Sequence, residues 1–178
     1  MTFIRPRLRR AQHLISAWSL MLLAGCSAPT PPSHSPSVAD KIVPAQVIPA
    51  APMQFNVPGG DSLSARVWST PKPRHIVLGV HGFNDYSKAF EPTAQHLVGE
   101  LGATVYAYDQ RGFGANPQAG IWRGEDTLLA DLRHIASQLR ERHPGVPLTV
   151  VGESMGGALV WVAAAESPGL VADHIVLK

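Results

Sequence analysis

Between positions 53 and 68, apolar and polar residues alternate in "MQFNV" and "SARVW", which flank "PGGDS". Alternation around a glycine pair predicts two strands joined by a tight hairpin turn. "HIVLGV" (His75–Val80) is different: a continuous apolar run, as expected of a strand buried on both faces. Phe90, Ala94, Leu97, Val98 and Leu101 then recur at helical spacing, with Pro92 in the first turn and Gly102 as the stop. "ATVYAY" predicts a further strand, and Leu128, Leu132, Ile135, Ala136 and Leu139 mark an amphipathic helix that ends at "HPG". "LTVV" predicts a strand, residues 155–166 a helix rich in small side chains, and "HIVLK" one more strand. From His75 onward strand and helix alternate. The predicted fold class is α/β: a hairpin, then a mostly parallel sheet with helices on both faces.

Ahead of this pattern lies a different one. "RPRLRR" is a basic opening and "LISAWSLMLLAG" a short apolar core, the arrangement of a targeting segment. Residues 14–25 fall well short of the roughly 20 needed to cross a bilayer as a helix. Charge belongs to this segment too. The formal net charge is +2, but Arg5, Arg7, Arg9 and Arg10 all lie in the first ten residues and no acid precedes Cys26. The remainder is slightly acidic, and no basic stripe points to nucleic acid. Cys26 is the only cysteine, so it has no partner for an internal disulfide.

"LAGC" after such a core resembles the lipobox of bacterial lipoproteins. That resemblance implies a signal peptide over 1–25 and a lipidated Cys26 as the first mature residue, holding the protein on a membrane of the bacterial cell envelope. Ser27, rather than Asp, after the cysteine goes with the outer membrane. Other readings of the segment are a cleaved secretory signal with an incidental cysteine, or a buried N-terminal helix. From 27 to 52 there are seven prolines and no glycine. Such composition predicts an extended, semi-rigid tether over 26–52, with a surface-hugging loop as the alternative. The folded domain is expected over 53–178.

The chemistry centres on Gly152-Glu153-Ser154-Met155-Gly156. A serine hydroxyl is a poor nucleophile without a base to take its proton, and a bare G-x-S-x-G is a weak motif. Here it falls where a buried strand turns into a helix, the context of a nucleophile elbow. The sharp turn lifts Ser154 above the sheet, and Gly152 and Gly156 remove side chains that would clash. The Met155 N–H, at the helix start, points where an oxyanion would form. An N-capping serine beside packing glycines is the structural alternative. "HGFNDYS", 81–87, leaves the strand "HIVLGV"; Gly82 lets the backbone bend over a neighbouring site, and the Phe83 N–H is the second candidate oxyanion donor. An ordinary strand-to-helix loop is the alternative there. His81 reads as a residue that orients this loop rather than as the base.

With "VHGFNDYS", "YAYDQRGFGANP" and "VVGESMGG" in this order, residues 53–178 resemble the alpha/beta-hydrolase superfamily, specifically its monoglyceride lipase, lysophospholipase and serine aminopeptidase-like group. The resemblance implies Ser154 as nucleophile, Phe83 and Met155 as oxyanion donors, and acyl transfer from an ester to water through an acyl-serine. It implies a small-molecule ester or lipid substrate, of monoacylglycerol or lysophospholipid type. Aminopeptidase action on small N-terminal residues is the second reading, and a non-catalytic tethered module or decayed product a third. "DQRGFG" matches a loop after the fourth strand, where Asp109 and Arg111 read as an ion pair bracing a turn.

One departure stands out. In this fold an Asp or Glu and then a His follow the serine in the chain. After Ser154 only Glu166, Asp173 and His174 qualify. The helix over 155–166 runs about 18 Å away from the elbow, at about 1.5 Å per residue, which puts all three at the wrong end of the sheet. The expectation is therefore a partial hydrolase domain, carrying nucleophile and oxyanion hole without its acid and base and inactive by itself. No metal cluster, phosphate loop or dinucleotide fingerprint appears, and Pro117 in "GFGANP" stands where a third glycine would be needed; no cofactor or metal is expected.

Overall fold

The structure, a computed structural model, describes residues 48–166 and 168–178. The basic opening, the apolar core, Cys26 and most of the proline-rich stretch lie outside the described residues. A six-stranded sheet carries the fold, with strands β1 (Ala51–Asn56), β2 (Ser62–Trp68), β3 (His75–Val80), β4 (Ala103–Tyr108), β5 (Leu148–Gly152) and β6 (His174–Leu177). Their order across the sheet is β1-β2-β4-β3-β5-β6. β1 and β2 form the expected antiparallel hairpin, and β2 runs antiparallel to β4; every pairing beyond that is parallel. Gly59 and Gly60 take φ of 91° and 83° in the hairpin turn, a backbone region that side chains disfavour.

β1 begins at Ala51, earlier than the alternation at Met53 suggests. The extra residues are strand because Ala51 and Pro52 stay in register with Val67 and Arg66 of β2. Just ahead, Ile48 N–H donates to Gln95 Oε1 at 2.8 Å, and Gln95 Nε2 donates to Ile48 O at 2.6 Å. Ile48 is thus tied to the helix that carries Gln95.

α1 (Glu91–Leu101) follows a short 3-10 helix at Ser87–Phe90 and ends at Gly102, which is left-handed (φ 61°) as its stop role requires. It covers one face of the sheet through Phe90, Ala94 and Val98, packed on Trp68, Val77, Val105 and Ala107. Gly79 in β3 makes room here, because a Cβ on it would overlap the Phe90 ring. α2 (Glu125–Arg142) and α3 (Met155–Ala165) cover the opposite face. Leu128, Leu132, Ile135 and Leu139 line up with Leu159, Val160 and Ala163 over Ile76, Leu78, Tyr106 and Val150. Each such fully buried aliphatic side chain stabilises the fold by about 1.5–3 kcal/mol. β3 and β4 are buried almost throughout, as their unbroken apolar runs predict. β6 is an edge strand and exposed along its length.

Candidate active site

Parallel strands deliver their C-terminal ends to one rim of the sheet, and the candidate residues collect there. β3 ends at Val80, paired with Tyr108 at the end of β4 and with Gly152 at the end of β5. Three loops therefore leave side by side: His81–Gly82–Phe83, Asp109–Gln110–Arg111 and Glu153–Ser154–Met155.

Ser154 sits between β5 and α3 with φ 51° and ψ −117°, a conformation almost confined to glycine. A run of hydrogen bonds holds it there. Glu153 N–H donates to Val80 O at 3.0 Å, Gly156 N–H to Glu153 O at 2.8 Å, and Ala158 N–H to Ser154 O at 3.1 Å. The flanking glycines are required by space. A Cβ on Gly152 would strike Gly156 and Gly157, and one on Gly156 would strike the Val80 and His81 carbonyls. α3 can start this close to β3 only because those atoms are absent. The turn leaves Ser154 exposed, and its side chain makes no cap hydrogen bond. The N-capping alternative is thereby excluded.

Gly82 faces the serine, and Phe83 follows it with its ring 63% exposed. Among the described residues, neither the Phe83 N–H nor the Met155 N–H is donated to a protein acceptor. Both are free for a developing oxyanion, and the Met155 N–H also lies at the positive end of α3.

His81 is fully buried and both ring nitrogens are engaged. Nδ1 lies 2.8 Å from Gly82 O, which can only accept, so Nδ1 carries the proton. Nε2 accepts from the Gln110 N–H at 2.9 Å. Burial pushes the imidazole below its ordinary value; the Gly82 hydrogen bond and the charges of Asp109 and Asp85 oppose that only partly. A neutral ring with no free nitrogen cannot serve Ser154 as base. It orients the loop, as read from the sequence.

The Asp109–Arg111 ion pair does not form. Asp109 accepts instead from the N–H groups of Ser87 (2.7 Å) and Ala115 (2.8 Å), tying the loop after β3 to the loop after β4. Arg111 turns the other way, grips the buried Asp131 of α2 through Nε and Nη2, both at 2.9 Å, and also pairs with Asp61 in the hairpin turn. The expected pair fails because the two side chains leave the loop on opposite sides, and Arg111 meets Asp131, twenty positions on, instead. Asn116 was missed as well. Its Nδ2 donates to Asp109 O and Gln110 O while its Oδ1 accepts from Ser64 N–H, so it staples the loop to β2. A polar residue beside a glycine-rich turn was the available signal.

The late acids and histidine lie at the far rim. Asp173 accepts from Leu148 N–H at 2.7 Å, at the start of β5, and pairs with Arg140; His174 opposes Thr149. From there to Gly152 is about 10 Å at roughly 3.3 Å per residue. Glu166 pairs with Arg133. Among the described residues no histidine or carboxylate hydrogen-bonds the Ser154 hydroxyl. The arrangement can deliver an acyl acceptor and two oxyanion donors, and needs a base from elsewhere.

A family profile described as serine aminopeptidase, S33, matches residues 71–178. Human monoglyceride lipase is 30% identical over 157 residues, which cover 83% of this chain and 48% of that protein. Monoacylglycerol lipase of Mycolicibacterium smegmatis is 32% identical over 113 residues, 62% of this chain and 40% of its own length. The solved structure of a soluble variant of monoglyceride lipase from Saccharomyces cerevisiae, in complex with a substrate analog, superposes with a TM-score of 0.63. It is 25% identical and covers 75% of this chain and 46% of that one. The chain spans about half the length of the curated relatives it matches. With the elbow, the oxyanion loop and the sheet order in agreement, the chain belongs to the serine aminopeptidase S33 family of the alpha/beta-hydrolase superfamily.

Proposed function

We propose that the protein is a serine hydrolase of carboxylic esters, of the monoacylglycerol or lysophospholipid type. The observation that carries this reading is the exposed Ser154 in a strained strand-to-helix turn, with the undonated N–H groups of Phe83 and Met155 in the adjoining backbone. Ser154 Oγ attacks the ester carbonyl while a base takes its proton, the oxyanion is held by the two N–H groups, and the alcohol leaves with that proton as the acyl-serine forms. Water, deprotonated by the same base, then releases the acid and returns the proton to Ser154. The lipase names of the relatives support a glycerolipid ester. The family description favours a second reading, hydrolysis of an N-terminal peptide bond by the same serine.

The base is supplied from outside the described residues, and a polypeptide confined to 48–178 does not turn over. In a serine protease the loss of the base costs about a millionfold in kcat. The membrane is reached through lipidated Cys26, which places the site in the cell envelope beside lipid substrates. Cys26→Ser should abolish lipid labelling and membrane fractionation; unchanged behaviour overturns the anchor.

The test of function is the full-length protein with a fluorophosphonate, then monoacylglycerol against aminoacyl arylamides. Labelling that Ser154→Ala abolishes, with ester turnover, supports the reading. Arylamide turnover alone favours the peptidase, and silence to the label with a folded chain leaves a binding module.

A further inference from the structure

Gln110 is fully buried beside the oxyanion loop, in a chain position where a side chain has no need to be polar. Its amide is oriented by what it meets. The nearest atom is His81 O at 2.6 Å, which can only accept, so the NH2 group faces it. The Oε1 then has no protein donor among the described residues. A buried, half-satisfied amide costs about 1–3 kcal/mol relative to a matched apolar side chain, so packing alone does not account for it.

The partner explains the choice. Gln110 holds His81 twice, by its side chain at the carbonyl and by its backbone N–H at Nε2 (2.9 Å). The second bond forces the proton onto Nδ1, and Nδ1–H donates to Gly82 O at 2.8 Å. Gly82 O belongs to the same peptide unit as the Phe83 N–H. In a trans peptide the two point in opposite directions, so pinning the carbonyl aims the N–H. The approach of Gln110 Nε2 to Nδ1, 3.3 Å, is donor against donor and adds no bond. Gln110 is itself held, since its carbonyl accepts from Asn116 Nδ2 at 3.1 Å.

We propose that Gln110 is a positioning residue of the oxyanion hole, acting through His81 on the plane of the Gly82–Phe83 peptide. This rests on the ester-hydrolase reading above. An N–H held in line with a developing oxyanion acts mainly in the transition state, so loosening it lowers kcat more than it changes KM.

The experiment uses the full-length protein, after ester turnover and its loss in Ser154→Ala have been established; without those, the functional reading fails before this one is addressed. Gln110→Met keeps the length and removes the amide, and Gln110→Glu keeps the shape and replaces the donor facing His81 O. Both keep the backbone N–H on Nε2, so they release only the end of the clamp at the His81 carbonyl, the peptide next to Gly82–Phe83. The expected result is a folded variant with KM within about twofold and kcat at least about tenfold lower, against the roughly hundred- to thousandfold of an oxyanion donor removed outright. Affinity for an alkylboronic acid, whose tetrahedral serine adduct places an oxygen in the hole, should fall in parallel with kcat. A merely structural role would lower the melting temperature and leave the ratio of boronate affinity to KM unchanged. Unchanged kcat and boronate affinity in either folded variant overturn the proposal. So does failure of both to fold, since the clamp would then belong to the core.

Discussion

A methyl group placed on Gly82 would stand 3.3 Å from Ser154 Cβ and 3.9 Å from its Oγ. The two residues lie just past strands that are neighbours in space, and they are more than seventy positions apart in the chain. Their contact is the point where the candidate oxyanion loop meets the proposed nucleophile.

Gly82→Ala should therefore lower ester turnover without unfolding the protein. The backbone at Gly82 is not in the left-handed region, so alanine is tolerated locally, but its methyl presses on the serine or lifts the Phe83 N–H away. The displacement needed is a few tenths of an ångström, so the loss should fall below the roughly hundredfold that a misplacement near 1 Å costs. Steady-state kinetics beside a melting curve check this; a rate within twofold of wild type would mean that the loop does not close over Ser154.

Ser154 separates activity from stability in a second way. Ser154→Ala removes the nucleophile and keeps the strained backbone, so ester turnover should vanish while stability stays near wild type. Ser154→Gly also removes the strain. A non-glycine residue in such a region costs about 1–3 kcal/mol, and glycine gives back about 0.5–1 kcal/mol through its greater freedom when unfolded. A net gain of about 1 kcal/mol in urea unfolding is expected for Ser154→Gly over Ser154→Ala. Equal stabilities would show that the turn is relaxed.

The hairpin, the alternating strands and helices and the elbow were legible because each is written locally: a glycine pair, apolar runs of strand length, G-x-S-x-G at a strand end. Gly102, Gly152 and Gly156 do what their positions suggest. The braces were not legible. Arg111 finds Asp131 and Asp61, Asn116 finds Ser64, and Gln95 finds Ile48, all across distances that periodicity does not encode. The loop of Asp109 is legible but its partners, the Ser87 and Ala115 N–H groups, are not, since nearby residues of a loop need not face each other.

The two partners of Arg111 should differ in weight. The Asp131 side chain is 2% exposed, and its neutralisation leaves the largely buried guanidinium with only the exposed Asp61 as counter-charge. Breaking such a pair costs about 3–5 kcal/mol. Asp61 is 62% exposed, and a pair of that kind contributes below about 1 kcal/mol. Asp131→Asn should thus lower the melting temperature markedly and Asp61→Asn barely. Equal effects in thermal unfolding would place the brace at the hairpin instead of at α2.

His81 makes the fold sensitive to acid. Its pKa in the folded protein is lowered from 6.5, chiefly by burial, while in the unfolded chain it titrates near 6.5. The unfolded state therefore binds the extra proton first. The contribution of neutral His81 is fully present above about pH 6.5 and is lost progressively as pH falls below it toward the folded value. Protonation also sets an Nε2–H against the Gln110 N–H, which removes one of the two bonds that define the loop. His143 shifts in the same direction, by burial and the nearby Arg142, so the wild-type slope contains both. His81→Asn isolates the first. Its melting temperature should be lower throughout but fall less steeply between about pH 7.5 and pH 5.5 than that of wild type, because an amide has no proton to gain. Parallel curves would mean that His81 takes up its proton alike in the folded and unfolded protein, so that burial does not hold it neutral.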